Sequence, residues 1–177
     1  MTEWVFLRHG QSFANAEGWL SGWDDVGLTL LGETQSRAAG VALRDVEIGR
    51  VLTSDLQRAW RTADFVLGER RIPLHRTADL RERHMGRLQG LRRETMTDEM
   101  WGWLRAWESG PPGGESLQRA VARALAAMRH WDDGTPTLVV SHGSLLRGVI
   151  GILDGIAPDE VARLPSAPNA EPIRRRV

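Results

Sequence analysis

Two apolar runs in this chain close in the same way. Val5-Phe6-Leu7 passes into Arg8-His9-Gly10, and Leu138-Val139-Val140 passes through Ser141 into His142-Gly143. A short, continuous aliphatic or β-branched run ended by a breaker reads as a strand covered on both faces, as in a parallel sheet. Each strand delivers a histidine to its carboxyl end. Open parallel sheets bind ligands beyond those ends, so two histidines far apart in sequence are expected to meet there.

The rest of the chain alternates in keeping with such a sheet. Residues from about Gln11 to Leu28, with Gly18, Gly22 and Gly27, read as a long loop with a short helical start, and long loops in compact domains are usually functional. Thr29 caps a predicted helix to about Val41, with Ala38, Val41 and Ala42 inward. Arg50–Ser54 reads as a strand, and Asp55–Leu67 as a helix capped by Ser54 or Asp55 that carries Arg58 in its first turn. Ile72–His75 fits an edge strand because of Pro73, and Thr77 to Gly90 is a charged loop. Met100, Trp103, Leu104 and Trp107 form a helical stripe read as core packing, with Trp101 off it. Ser109 to Gly114 is a turn. Leu117 to Trp131 and Ser144 to Leu153 follow as helices, with a short one after Pro158 and a last strand within Asn169 to Val177. The expected fold is therefore α/β, a three-layer α/β/α sandwich with a mostly parallel central sheet, in a single domain over residues 1–177.

Composition narrows the partners. Basic and acidic residues number 23 each, so no global field draws the chain to nucleic acid or an anionic membrane. Arg174-Arg175-Arg176 lacks interleaved aromatics and reads as a solvated strand. There is no cysteine, hence no disulfide or thiolate metal site, and no histidine pair at helix-turn spacing, so no metal is expected. The amino terminus has no basic segment followed by a long apolar one, and no run approaches bilayer length. A cytoplasmic protein with no membrane partner is expected.

A lone strand-end histidine is ordinarily structural. Two of them beside Arg8 and Arg58 describe something else, a site for a dianion, and a phosphoryl group is the commonest dianion in metabolism. A neutral histidine held in one tautomer can attack phosphorus and carry it as phosphohistidine, while the other cations and His142 stabilise the equatorial oxygens, worth about 3 to 4 kcal/mol per well-placed donor. The leaving oxygen needs a proton, and Glu82, between Arg81 and Arg83, is the candidate acid.

At these residues the chain resembles the histidine phosphatase superfamily, the phosphoglycerate mutase-like fold. Arg8-His9-Gly10 with Ser12 and Asn15 matches its nucleophile motif, Ser54 to Ala59 with Thr62-Ala63 its second motif, Glu82 its acid position and His142-Gly143 its last motif. Ser21 to Val26, Glu82 to Leu91 and His142 to Arg147 are similar to the cofactor-dependent phosphoglycerate mutases. The resemblance implies His9 as nucleophile, Glu82 as acid and base, and Arg8, Arg58 and His142 as the phosphate pocket. Asn15, Ser21, Gly22, Arg83, Arg93, Gly143 and Ser144 are the expected substrate-binding residues. No cofactor is implied, the partner is a small-molecule phosphoester, and a homodimer is open to it as to the mutases.

The departures bear on the reaction. Met85 stands where the mutases have tyrosine, Arg93 where they have lysine, Leu104-Arg105 where they have two arginines and Ser144 where they have asparagine, and the stretch around Ser109 to Glu115 is much shorter. A mutase must clamp a bisphosphorylated intermediate at both ends under a lid that excludes water. A chain that has lost part of the clamp is expected to let water reach the phosphohistidine. A phosphatase is thus the first expectation and a 2,3-bisphosphoglycerate-dependent mutase the second. Tryptophans 19, 23, 101, 103 and 107 suggest an acceptor pocket that is flatter and less selective for anions.

Overall fold

A computed structural model describes residues 2–176. Strands β1 (Glu3–Arg8), β2 (Arg50–Ser54), β3 (Leu74–Thr77), β4 (Thr137–Ser141) and β5 (Ile173–Arg176) form one five-stranded sheet in the order β3-β2-β4-β1-β5. The first four run parallel, and β5 lies antiparallel along β1 at one edge. Arg174 and Arg176 of that strand reach Glu3, and Arg175 reaches Asp154. Val177, where the last strand was expected to end, lies outside the described residues.

The helices are α1 (Phe13–Glu17), α2 (Leu30–Ala42), α3 (Gln57–Leu67), α4 (Asp98–Arg105), α5 (Leu117–His130), α6 (Gly143–Leu153) and α7 (Pro158–Val161). The strand side chains alternate with the period of two that a pleated backbone imposes. Trp4, Phe6, Leu52 and Val139 join one core with Leu117, Val121 and Leu145 of α5 and α6. Val5, Leu7, Val51, Leu138 and Val140 join the other with Ala39 of α2 and Ala59, Ala63 and Val66 of α3. Both faces of β1, β2 and β4 are therefore covered, which is why these strands read as unbroken apolar runs. A third, smaller cluster of Leu20, Met85 and Leu88 is covered by Met100, Trp103 and Leu104 of α4, whereas Trp107, the fourth residue of the expected stripe, lies beyond the end of α4 and packs against the main core.

Two local expectations are corrected. Thr29 does cap α2, accepting from the Gly32 amide, but the inward face is Gly32, Ser36 and Ala39, continued by Leu43, while Ala38, Val41 and Ala42 are exposed. The cause is close approach. A Cβ on Gly40 would stand 2.7 Å from the Val66 carbonyl oxygen, so α2 meets α3 through small residues, and the larger apolar ones fall outside. At α3 neither Ser54 nor Asp55 is the cap residue. Leu56 occupies that position, and Asp25, from the long loop after β1, accepts the Gln57 amide at 2.6 Å. Asp55 is instead held by Arg81 at 2.7 and 2.6 Å, an ion pair that keeps its carboxyl below the usual range.

Candidate active site

The register of the sheet places the two histidines. Arg8 pairs with Ser141 across β1 and β4, so His9 and His142 are the next residues off adjacent parallel strands. Their rings stand 5.2 Å apart, inclined at 62°, and both are buried. Each following glycine permits a close approach. A Cβ on Gly10 would lie 2.2 Å from the Gly32 carbonyl oxygen, and one on Gly143 would lie 3.1 Å from the Arg8 guanidinium.

His9 is held at several points. Its amide donates to the Ser141 carbonyl at 2.9 Å, and its own carbonyl accepts from the Asn169 side chain at 2.7 Å. Its Nδ1 lies 2.7 Å from the Gly10 carbonyl oxygen, which can only accept, so Nδ1 carries the proton and Nε2 keeps its lone pair. Burial pushes the imidazole well below its ordinary pKa, and the cationic Arg58 and Arg8 push it further. His142 is depressed in the same way, by burial first and then by Arg58, His9 and Arg8, and neither of its ring nitrogens has a partner among the described residues.

Arg58 enters from the first turn of α3. Its terminal nitrogens donate to the Asp24 and Gly22 carbonyls, both at 2.8 Å, while Nε has no partner among the described residues. Arg8 donates to the Ala167 carbonyl at 2.8 Å, and its Nε is likewise unpartnered. Burial lowers Arg58 to about 10 against the opposing pull of Glu82, so it stays cationic near neutrality. Glu82 spans the amino end of α6. Its Oε2 accepts from the Ser144 amide at 3.0 Å, and Oε1 from Leu145 and Arg83 at 3.1 and 2.9 Å. Oε2, with one amide partner against two, is the freer oxygen.

These groups surround a cavity of about 210 Å³ at the carboxyl ends of the strands. Arg8, His9, Arg58 and Glu82 line it with Asn15, Ser21, Gly22, Arg93, Gly143 and Ser144, while His142 is fully buried against His9 and does not line it. Asn15 uses its carbonyl oxygen on the Ser12 amide and the Asn169 side chain, leaving its NH2 group for the cavity. Arg83, an expected substrate contact, lies at the wall of the cavity and is also a strap. It is 1% exposed and donates to the main-chain carbonyls of Glu115, Leu104, Trp103 and Ser109, anchoring α4 and the turn that follows to the acid loop.

The expectation of a pocket less suited to anions is overturned. The lining holds seven arginines and one carboxylate, with Arg83, Arg93, Arg105, Arg147 and Arg163 beside Arg8 and Arg58. Arg147 and Arg163 were not anticipated, because they come from α6 and the segment after α7, and only the fold brings them to the rim. Arg123 of α5 was also missed. It pairs with Glu115 and donates to the Asp79, Arg81 and Glu82 carbonyls at 2.6 to 2.9 Å, fixing the loop that carries Glu82. The Trp23 indole adds a 2.7 Å donation to the Glu82 carbonyl. Nothing in local periodicity signals such side-chain to main-chain bonds.

Comparison with known proteins places this geometry. The family model described as the histidine phosphatase superfamily (branch 1) matches residues 4–173. A curated relative from Cytophaga hutchinsonii, named 2,3-bisphosphoglycerate-dependent phosphoglycerate mutase, is 34% identical over 94% of this chain and 84% of its own. Among solved structures, Bacillus stearothermophilus YhfR superposes with a TM-score of 0.91 at 28% identity, covering 100% of this chain and 92% of its own. A mycobacterial glucosyl-3-phosphoglycerate phosphatase in complex with VO3 superposes with a TM-score of 0.88 at 28% identity, covering 98% and 92%.

Proposed function

Because the chain belongs to branch 1 of the histidine phosphatase superfamily, we propose that it is a phosphomonoester hydrolase working through a phosphohistidine on His9. The observation that carries this reading is the pair of unpartnered buried donors on the cavity wall, Arg8 Nε and Arg58 Nε, beside a histidine whose Nδ1 is already committed to Gly10, with the unpartnered His142 ring packed against it. Buried polar groups are ordinarily satisfied, so donors of this kind gathered at a cavity mark where a ligand oxygen belongs.

In the first step His9 Nε2 attacks phosphorus, the P–O bond to the leaving group breaks, and the leaving oxygen takes a proton from Glu82. The freer Oε2 is the atom suited to carry that proton. Arg8 and Arg58 donate to the equatorial oxygens as their charge redistributes, which is stabilisation already in place before the reaction, with His142 neutral behind His9. In the second step water attacks phosphorus, the N–P bond breaks and Glu82 receives the water's proton, so inorganic phosphate leaves and the enzyme is restored. The substrate is a small phosphorylated metabolite. The hydrolase is favoured over a mutase by Met85, Ser144 and the short Ser109–Glu115 stretch, and by likeness to a phosphatase that acts on a phosphoglycerate derivative.

A specific observation favours the second reading, mutase activity. The curated relative carries that name, and Arg93 and Arg105 remain at the cavity rim where a second anionic group would sit. A side-by-side assay separates the two. Phosphate release from phosphomonoesters with negligible 3-phosphoglycerate to 2-phosphoglycerate conversion supports the hydrolase. Fast conversion that depends on 2,3-bisphosphoglycerate refutes it.

A further inference from the structure

Between α7 and β5 the chain crosses the carboxyl end of β1 and fastens to it. The Ala167 carbonyl accepts from the Arg8 guanidinium at 2.8 Å, and the Ala170 amide donates to the Arg8 carbonyl at 2.9 Å. The Asn169 side-chain amide donates to the His9 carbonyl at 2.7 Å and to Asn15 Oδ1 at 3.4 Å. Asn169 lies beside Arg8 in the parallel sense, whereas from Ile173 onward the chain runs antiparallel to β1, so it reverses in between. Ala170 is where it turns. Its φ is 53°, and among the described residues it is the one non-glycine residue with a positive φ. A Cβ is disfavoured in that conformation, yet Ala170 is kept there by packing in the core that β1 shares with α2 and α3. A strained turn beside a nucleophile invites the question of what it aims.

It aims an amide at another amide, and main-chain groups decide which way each faces. The His9 carbonyl can only accept, so Asn169 turns its NH2 toward it. The Ser12 amide can only donate, at 3.2 Å, so Asn15 turns its oxygen toward Ser12 and Asn169. Asn15 lines the catalytic cavity, while Asn169 is half-buried behind it and does not. Held this way round, Asn15 offers its NH2 group to the cavity. Turned over, it would offer a carbonyl oxygen, which repels a phosphoryl dianion.

We propose that Asn169 is a positioning residue, which locks the Asn15 amide with its NH2 toward the phosphoryl group while holding the carbonyl of the nucleophile. The proposal rests on the phosphate-pocket reading above and adds to it a residue that never meets the substrate. The Ser12 amide supplies one bond that orients Asn15, and Asn169 supplies the second. A merely structural Asn169 would tie the end of β1 to the segment before β5 and nothing more. The two roles differ in whether the effect of Asn169 passes through Asn15.

The test measures the affinity of the full chain for inorganic phosphate by titration calorimetry, with p-nitrophenyl phosphate hydrolysis alongside. Asn169→Ala and Asn169→Asp are each made alone and together with Asn15→Ala, and thermal melts confirm folding. Asn169→Ala removes one of the two orienting bonds and should weaken phosphate binding about threefold to tenfold. Asn169→Asp keeps the shape, sets a carboxylate against Asn15 Oδ1 and turns that amide over, so it should weaken binding about 100-fold. KM should rise by similar factors, with kcat changed by less than about threefold, because binding energy alone is lost. In the Asn15→Ala background neither substitution should cost more than about twofold further. Equal factors in both backgrounds, or an unchanged phosphate affinity in Asn169→Ala, would overturn the proposal. A loss from Asn169→Asp that persists without Asn15 is charge repulsion and counts against it as well. Should Asn169→Asp fail to fold, the Asn169→Ala comparison decides alone. Phosphate binding with this coupling but no hydrolysis would refute the hydrolase and uphold the positioning role, whereas no phosphate binding by the unsubstituted protein would take both down.

Discussion

Keeping two histidines neutral inside the protein has a measurable cost in acid. His9 and His142 are buried, and their folded pKa values lie well below the ordinary one, by burial first and then by the neighbouring arginines. Between the folded pKa and the unfolded value near 6.5 the unfolded chain binds more protons than the folded one, so stability rises with pH there and is lost as pH falls. At about pH 5.5, one unit below the unfolded value, each histidine withdraws roughly 1.4 kcal/mol relative to about pH 8, or about 3 kcal/mol for the pair. The depressed carboxylates Asp55 and Asp154 lose their contributions only at more acidic pH, as it falls from the unfolded toward the folded carboxyl range, so this window belongs to imidazoles. Urea midpoints measured across it should fall steadily for the unsubstituted protein and about half as steeply for His142→Asn or His9→Asn. A profile that is flat, or equally steep in the variants, would refute the burial of neutral imidazoles at this site.

Arg58→Met should lower kcat/KM about 100- to 1,000-fold, because it removes a buried donor aimed at the phosphoryl oxygens, and should abolish the stabilisation that inorganic phosphate gives the folded protein in thermal melts. Gly10→Ala should destabilise by about 1 to 3 kcal/mol in urea titration, since its Cβ would stand 2.2 Å from the Gly32 carbonyl and force the strand end off α2. Arg123→Ala should leave α5 formed but reduce kcat more than it raises KM, because the segment carrying Glu82 loses three carbonyl anchors. Equal loss in kcat for substrates with good and poor leaving groups would contradict that role, since only the poor ones need the acid.

The strands and the residues they deliver were legible because they obey local rules. β1, β2 and β4 are buried on both faces and so carry unbroken apolar runs, and the residues that end them, His9 and His142, are placed by the sheet alone. Arg58 followed from its position in the first turn of α3. What stayed hidden was set by contacts between distant segments. The inner face of α2 is chosen by glycines and Ser36 meeting α3, which no hydrophobic pattern reveals. Arg83 is expected from the sequence only as a substrate contact and Arg123 carries no local signal, yet both spend their nitrogens on main-chain carbonyls of other elements. Arg147 and Arg163 reach the rim only because α6 and the segment after α7 fold back over the site, and the charge of the pocket was misjudged without them.

The central claim is a covalent phosphohistidine on His9, and rapid quenching with radiolabelled phosphoester tests it most directly. The account predicts a label that is stable to alkali and lost in acid, that chases into inorganic phosphate, and that is absent from folded His9→Ala. A label that persists in His9→Ala, or hydrolysis at full rate with no labelled protein at any quench time, would contradict it.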